Sequence, residues 1–281
     1  MSQAPRPLLL GHSPDPDDAF MFYAMREGLV DQEGLRFEHV LQDIETLNRR
    51  AMGGELEVTA VSLHAFAHLQ GRYGLLSSGA SIGDGYGPMV VSKAPLDPRA
   101  LGDVEIAVPG TLTSAFLALK LHTPRFRHRV VPFDEIPGEV AAGRFAAGLL
   151  IHEGQLTYQR IGLHLCVDLG TWWKEETGLP LPLGVNVVRL DLGPELCARI
   201  GRVLRRSIEY ALAHREPALR HALRYGRDLD LADADRFVGM YVNEFTRDFG
   251  PRGRAGVRLL LERGMAAGIL PRAAAEPVFV G

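Results

Sequence analysis

A three-leucine run, Leu8 to Leu10, breaks at Gly11-His12-Ser13-Pro14 and is followed by Ala19 to Met25, a segment apolar nearly all round. That pattern predicts a short strand, a loop and a buried helix. Arg36 to Leu41 alternates as a half-buried strand does, and Asp43 to Met52 places Ile44, Leu47 and Ala51 at helical spacing. Glu57 to Val61 has the pattern of a second strand, and Leu63 to Leu69 that of a second apolar helix. This β-α-β-α alternation calls for a sheet covered on both faces. Met89 to Ser92 predicts one more strand, and the two prolines of the segment 93–98 suit a connection between lobes.

From Val104 the pattern restarts. Strands are expected at Val104 to Val108, Arg129 to Pro132 and Ala147 to Ile151, with helices at Ser114 to Leu121 and Ile136 to Ala142. A stretch holding Trp172, Trp173, Gly178, Pro180 and Pro182 leads into a further strand, Gly184 to Arg189, and Pro194 to Gly268 carries long helical spacing. The expected architecture is an α/β clamshell: a larger lobe from residues 1–94 and 185–281, a smaller one from 95–184, and a ligand cleft between them.

Composition narrows the function. Among 281 residues, 46% hydrophobic and 23% charged positions describe a globular chain, and a formal charge of -3 offers no footprint for nucleic acid or an anionic membrane. A small molecule is the expected partner. Cys166 and Cys197 form no metal or redox motif, no apolar stretch reaches membrane-spanning length, and the run before Gly11 is too short for an export-signal core. A reducing cytoplasm is the expected compartment.

Three strand-to-helix junctions carry the candidate chemistry. Ser13-Pro14-Asp15-Pro16-Asp17-Asp18 opens the first helix, Ser62 the next, and Thr113-Ser114 follows the strand at Val104 to Val108. Helix starts present unpaired N–H donors and a favourable dipole to a carboxylate or phosphate, so an anionic ligand is expected, with a substrate carboxylate placed at Ser62 and Ser114. Asp15, Asp17 and Asp18 would repel an anion, which assigns that first loop a structural part or contacts to ligand hydroxyls. Each of Asp17, Ser62 and Thr113 also suits simple helix capping. The glycine-rich segment 79–88 has no GxGxxG and runs into a strand, so it is not a dinucleotide loop. His64 and His68 sit one helical turn apart without an evident third ligand, so no metal is expected there. His152-Glu153 follows the apolar Leu149-Leu150-Ile151, where a strand would end at the cleft. A histidine there suits a general base, and equally a hydrogen-bonded structural role.

Several segments carry a resemblance: Ser13-Pro14-Asp15-Pro16-Asp17-Asp18-Ala19-Phe20, Asp43 to Asn48, Val108 to Ala115, Leu150-Ile151-His152-Glu153 and Asp168 to Trp173. Together they resemble the 1,4-dihydroxy-6-naphthoate synthase family of the futalosine route to menaquinone. The similarity spans nearly the whole chain and is most specific between Gly148 and Gly184. It implies a periplasmic-binding-protein-like (type II) fold in a cytoplasmic lyase without metal or organic cofactor, converting cyclic dehypoxanthinyl futalosine to 1,4-dihydroxy-6-naphthoate and dihydroxyacetone. The family's proton-accepting histidine falls on His152. Its substrate-binding segments fall on Ala60, Val61 and Ser62, and on Ser114 and Ala115. The chain departs from the family at Asp15 and Asp17, often Cys and Asn there, and at Ser114, where the family carries Thr. Two rivals share the expected fold: chorismate dehydratase of the same route, which the His152-Glu153 segment disfavours, and a non-catalytic solute-binding or sensor protein.

Overall fold

The protein is described by a computed structural model covering residues 6–225, 230–271 and 277–281. Residues 1–5, part of the segment weighed for an export signal, and 226–229, within the stretch of long helical spacing, lie outside the described residues.

The first sheet is assembled from both ends of the chain. β1 (Leu8–His12) leads through a loop to α1 (Pro16–Met21) and α2 (Tyr23–Arg26), then β2 (Phe37–Leu41), α3 (Ile44–Gly53), β3 (Val58–Ser62), α4 (Leu63–Phe66), β4 (Tyr73–Leu76) and β5 (Ser81–Gly83). The single helix expected at Ala19 to Met25 is two, interrupted at Phe22, whose φ of -91° and ψ of 0° depart from helical values. The chain then enters the second sheet: β6 (Met89–Ser92), β7 (Glu105–Val108), α5 (Ser114–His122), β8 (Arg127–Val130), α6 (Ile136–Ala141), β9 (Ala147–Leu150), α7 (Gly154–Thr157), β10 (His164–Asp168) and α8 (Leu169–Thr177). It returns along β11 (Leu181–Arg189) to the helices α9 (Pro194–Ala213), α10 (Arg215–Ala222), α11 (Leu231–Tyr241), α12 (Glu244–Arg247) and α13 (Gly250–Ala266), and ends in β12 (Phe279–Val280).

The first sheet runs β12-β4-β11-β3-β1-β2, with β5 on β11, and the second β10-β6-β9-β7-β8. These pairings move the expected lobe boundaries. β6 pairs with β9 and β10, so the passage between sheets lies at 84–88, ahead of β6, and not at the prolines of 93–98. The return falls before Leu181, since β11 pairs with β5 from Leu181 onward. Glycine lets the first crossing pack closely: a Cβ on Gly170, in the first turn of α8, would stand 2.0 Å from the Tyr86 backbone, and one on Gly83, at the end of β5, 2.0 Å from Tyr86 O.

Behind the crossing the two lobes share one apolar cluster. It runs from Val61, Leu75 and Val187 of the first sheet through Phe66 and Leu117 to Ile106, Ala147 and Leu149 of the second. The lobes are therefore welded along one side, and the strand ends converge on a cleft along the other.

Candidate active site

A cavity of about 700 Å³, its open mouth included, lies between the sheets and is lined from both lobes, by Ser13, Asp17, Ala60 and Ser62 from one and Ser114, Ala115 and His152 from the other.

Ser62 closes β3, and α3 holds it. Asn48 Oδ1 accepts the Ser62 N–H at 2.8 Å, and Asn48 Nδ2 donates to Ser62 Oγ at 3.1 Å. With Oγ already accepting, the Ser62 hydroxyl proton has no acceptor among the described residues and is left for a ligand. Ser62 gives no side-chain cap to α4. Ser114 differs. Its Oγ donates to Leu183 O at 2.6 Å and accepts the His64 N–H at 3.3 Å, so the hydroxyl expected to bind ligand instead ties α5 to β11 and α4. What α5 offers is backbone. Thr113 Oγ1 accepts the Phe116 N–H at 3.1 Å, while the Ser114 and Ala115 amides have no acceptor among the described residues, at the positive end of a nine-residue helix. His64 supports this end as a neutral ring: burial lowers its pKa to about 4, and Nδ1 faces Thr113 O at 3.2 Å. Among the described residues no group of three His, Cys, Asp or Glu side chains is placed to hold a metal.

His152 stands just past β9 with φ 54°, a left-handed conformation that histidine tolerates better than most residues and that turns the chain sharply at the strand end. Gln155 fixes this corner. Oriented to satisfy both ends of its amide, it accepts the His152 N–H at 3.2 Å and donates to Gly87 O at 2.7 Å, with the Tyr241 hydroxyl against the same amide. The imidazole packs edge-on to Phe133 and places Nδ1 3.3 Å from Asp15 Oδ2. Asp15 belongs to the other lobe and is 1% exposed; the Ser13 hydroxyl donates to the same carboxylate oxygen. The first loop is thus neither a helix cap nor an anion site, since α1 has no side-chain cap hydrogen bond. It delivers a carboxylate across the cleft to the histidine.

The neighbouring acids are held back from ionising. Burial pushes the Asp18 carboxyl well above the usual carboxylate range and Asp17 adds to it, against the Ser13 N–H that Asp18 Oδ2 accepts at 2.7 Å. Burial also raises Asp17, which His152 and the Ser81 hydroxyl, 3.1 Å from Asp17 Oδ2, pull down.

The structure brings Ala60, Ser62, Ser114, Ala115 and His152 to one cavity; Val61, also expected there, points into the apolar cluster instead. Alternation along β3 explains this, because Ala60 and Ser62 share one face and Val61 takes the other. Sequence reasoning missed Asn48, Gln155, Tyr241 and Asn186. Asn48 had a signal, since it lies four residues after Ile44 and three before Ala51, a polar residue on an apolar stripe. Asn186 had one too, as a lone amide within Val185 to Val188.

A family described as menaquinone biosynthesis matches residues 8–266. A 1,4-dihydroxy-6-naphtoate synthase of Thermus thermophilus is 45% identical over 264 residues, covering 92% of this chain and 96% of its own length. The crystal structure of protein AF1704 from Archaeoglobus fulgidus, 47% identical, superposes with a TM-score of 0.90 over 94% of this chain and 98% of that one. A Candida albicans protein of the periplasmic-binding-protein fold, only 13% identical, gives 0.72 over 99% of this chain and 98% of its own, so the clamshell is that fold.

Proposed function

The chain belongs to the menaquinone biosynthesis family, and from that premise we propose that it is a 1,4-dihydroxy-6-naphthoate synthase: a carbon–carbon lyase that cleaves cyclic dehypoxanthinyl futalosine to 1,4-dihydroxy-6-naphthoate and dihydroxyacetone. The observation that carries the reading is the contact of His152 Nδ1 with Asp15 Oδ2, made across the cleft beside a set of carboxylate-binding donors. The substrate carboxylate is held by the Ser62 hydroxyl and the Ser114 and Ala115 amides. With Nδ1–H turned to the Asp15 carboxylate, Nε2 is the basic nitrogen of the neutral ring, and it takes the proton whose loss begins the cleavage. Asp15 is a positioning residue: it fixes the tautomer and stabilises the imidazolium that forms. Departure of the three-carbon fragment leaves a ring that aromatises, and aromatisation supplies much of the driving force. The protein's tasks are to orient the ring system and exclude water. Because the two members of the pair sit on different lobes, closure and assembly of the base are one event.

Purified protein incubated with cyclic dehypoxanthinyl futalosine is expected to release the naphthoate, detected by absorbance and mass, and to keep that activity after exhaustive chelation. Conversion of chorismate instead would select the dehydratase, and binding of either without turnover would select a sensor. Restoration of a chelated enzyme by one divalent ion would overturn the metal-independent reading.

A further inference from the structure

One polar group in the cavity wall is used neither by the fold nor by the chemistry above. Asn186 lies in β11 opposite Ala60 of β3, and since directly opposed residues of an antiparallel pair share a face, its side chain is on the cavity side with Ala60 and Ser62. It is 1% exposed. Its Nδ2 donates to Gly79 O at 2.7 Å, which fixes the amide, and its Oδ1 is buried without a hydrogen-bond partner among the described residues. Gly79 is shaped to admit that amide: its φ is +88°, and a Cβ there would stand 2.6 Å from Asn186 Nδ2. A buried amide oxygen without a donor carries an uncompensated desolvation cost, so a position built around one calls for a partner that the described residues do not supply.

That partner must be a donor. A carboxylate is excluded because Oδ1 only accepts, and the atoms around it point the same way: Gly79 and Ser81 line the same wall, and the Ser81 hydroxyl is already directed to Asp17. The cavity therefore has two chemically opposite ends, one offering hydroxyl and amide protons at Ser62, Ser114 and Ala115, the other offering an oxygen acceptor at Asn186. We propose that Asn186 is a specificity-determining residue that accepts a hydrogen bond from an alcohol hydroxyl on the non-aromatic, sugar-derived part of the substrate. This inference rests on the synthase reading and deepens it. It assigns the polyol arm to the β11 side and the carboxylate to the helix starts, so the scissile bond between them is laid across to His152. A hydroxyl-free aryl carboxylate would satisfy one end only.

The test pairs two ligands with two substitutions. Cyclic dehypoxanthinyl futalosine carries both groups, whereas naphthalene-2-carboxylate carries the carboxylate alone. In binding titrations Asn186→Leu is expected to weaken the former by roughly 10-fold or more and leave the latter within about 2-fold, because a buried hydroxyl loses its acceptor in one case and nothing is lost in the other. Ser62→Ala is expected to weaken both. Steady-state kinetics should show the Asn186→Leu loss mainly in KM. Equal weakening of both ligands, or of neither, overturns the assignment. If Asn186→Leu does not fold, Asn186→Ala replaces it, with the same split expected between the two ligands, and the same equal weakening or equal retention overturns the assignment. A parent protein that neither binds nor converts the futalosine compound overturns the synthase reading and this one with it. A parent that converts it while the Asn186 variants bind both ligands normally overturns this inference alone.

Discussion

The two ends of the cleft are built from the same ingredient, a buried ionisable group pushed toward its neutral form, and put it to opposite use. At the donor end burial lowers the pKa of His64 to about 4, and the uncharged ring, its Nδ1 against Thr113 O, supports a site whose positive character comes from helix amides. At the acid end burial raises Asp17 and Asp18, so these carboxyls resist ionising beside the one carboxylate that the histidine needs. The lesson is that sequence charge is a poor guide to cleft charge. Three aspartates within four residues look like an anionic loop, yet the fold turns Asp15 to His152 and desolvates its neighbours.

The comparison breaks first at His152. His152→Ala should cut turnover by about 10²–10⁴-fold with ligand affinity and melting temperature nearly intact, the usual worth of a positioned base. A variant that melts early and loses activity only in proportion would return this residue to a structural role.

Next, the two ends should answer pH with opposite sign. A histidine whose pKa falls from 6.5 to about 4 on folding binds its proton more readily in the unfolded chain, so its contribution to stability is complete above 6.5 and is lost as pH falls toward 4. Replacing His64 by Gln should flatten acid destabilisation in that window by up to roughly 3 kcal/mol, read from urea melts at several pH values. Asp18 behaves in reverse: its raised pKa means the folded state keeps the proton longer, so stability falls as pH rises from the ordinary carboxylate range through the raised value. Asp18→Asn should remove that decline, and a steeper decline would contradict the assignment.

The two serines sharpen the comparison further. Ser62→Ala removes the hydroxyl whose proton is left for the ligand and should weaken binding of the carboxylate by about 1.5–3 kcal/mol, whereas Ser114→Ala leaves the Ser114 and Ala115 amides in place. Its cost should appear in thermal stability, through the lost ties to Leu183 O and the His64 N–H. Equal losses of affinity in titrations of the two variants would erase the distinction. The smallest effect expected is that of Thr113→Ala, about 1 kcal/mol of stability from the lost α5 cap, measured by the same melts.

Much of the architecture was legible because most strands and helices differ in apolar period. The unread strands lack that signal. β5 is three residues inside a glycine-rich stretch, and β12 only two. β4 has a glycine in its interior, where a Cβ would stand 2.8 Å from Val280 Cγ2. The tryptophan stretch hid α8, whose start is set by Asp168 accepting from the Gly170 and Thr171 amides. In the site, His152 could be found from its place after an apolar strand. The unequal parts of Ser62 and Ser114 could not, because both follow a strand and open a helix. Asn48 and Leu183 decide between them, from 14 and 69 residues away.

The central claim is that residues from two lobes act as one base, and a double-substitution cycle on turnover tests it most directly. Asp15→Asn, His152→Ala and the pair together are compared with the parent at saturating substrate. Members of one unit are expected to be strongly non-additive, so the double variant should turn over about as slowly as His152→Ala alone. Losses that multiply, with the double variant slower than His152→Ala by the full Asp15→Asn factor, would show that Asp15 acts independently of His152 and contradict the account.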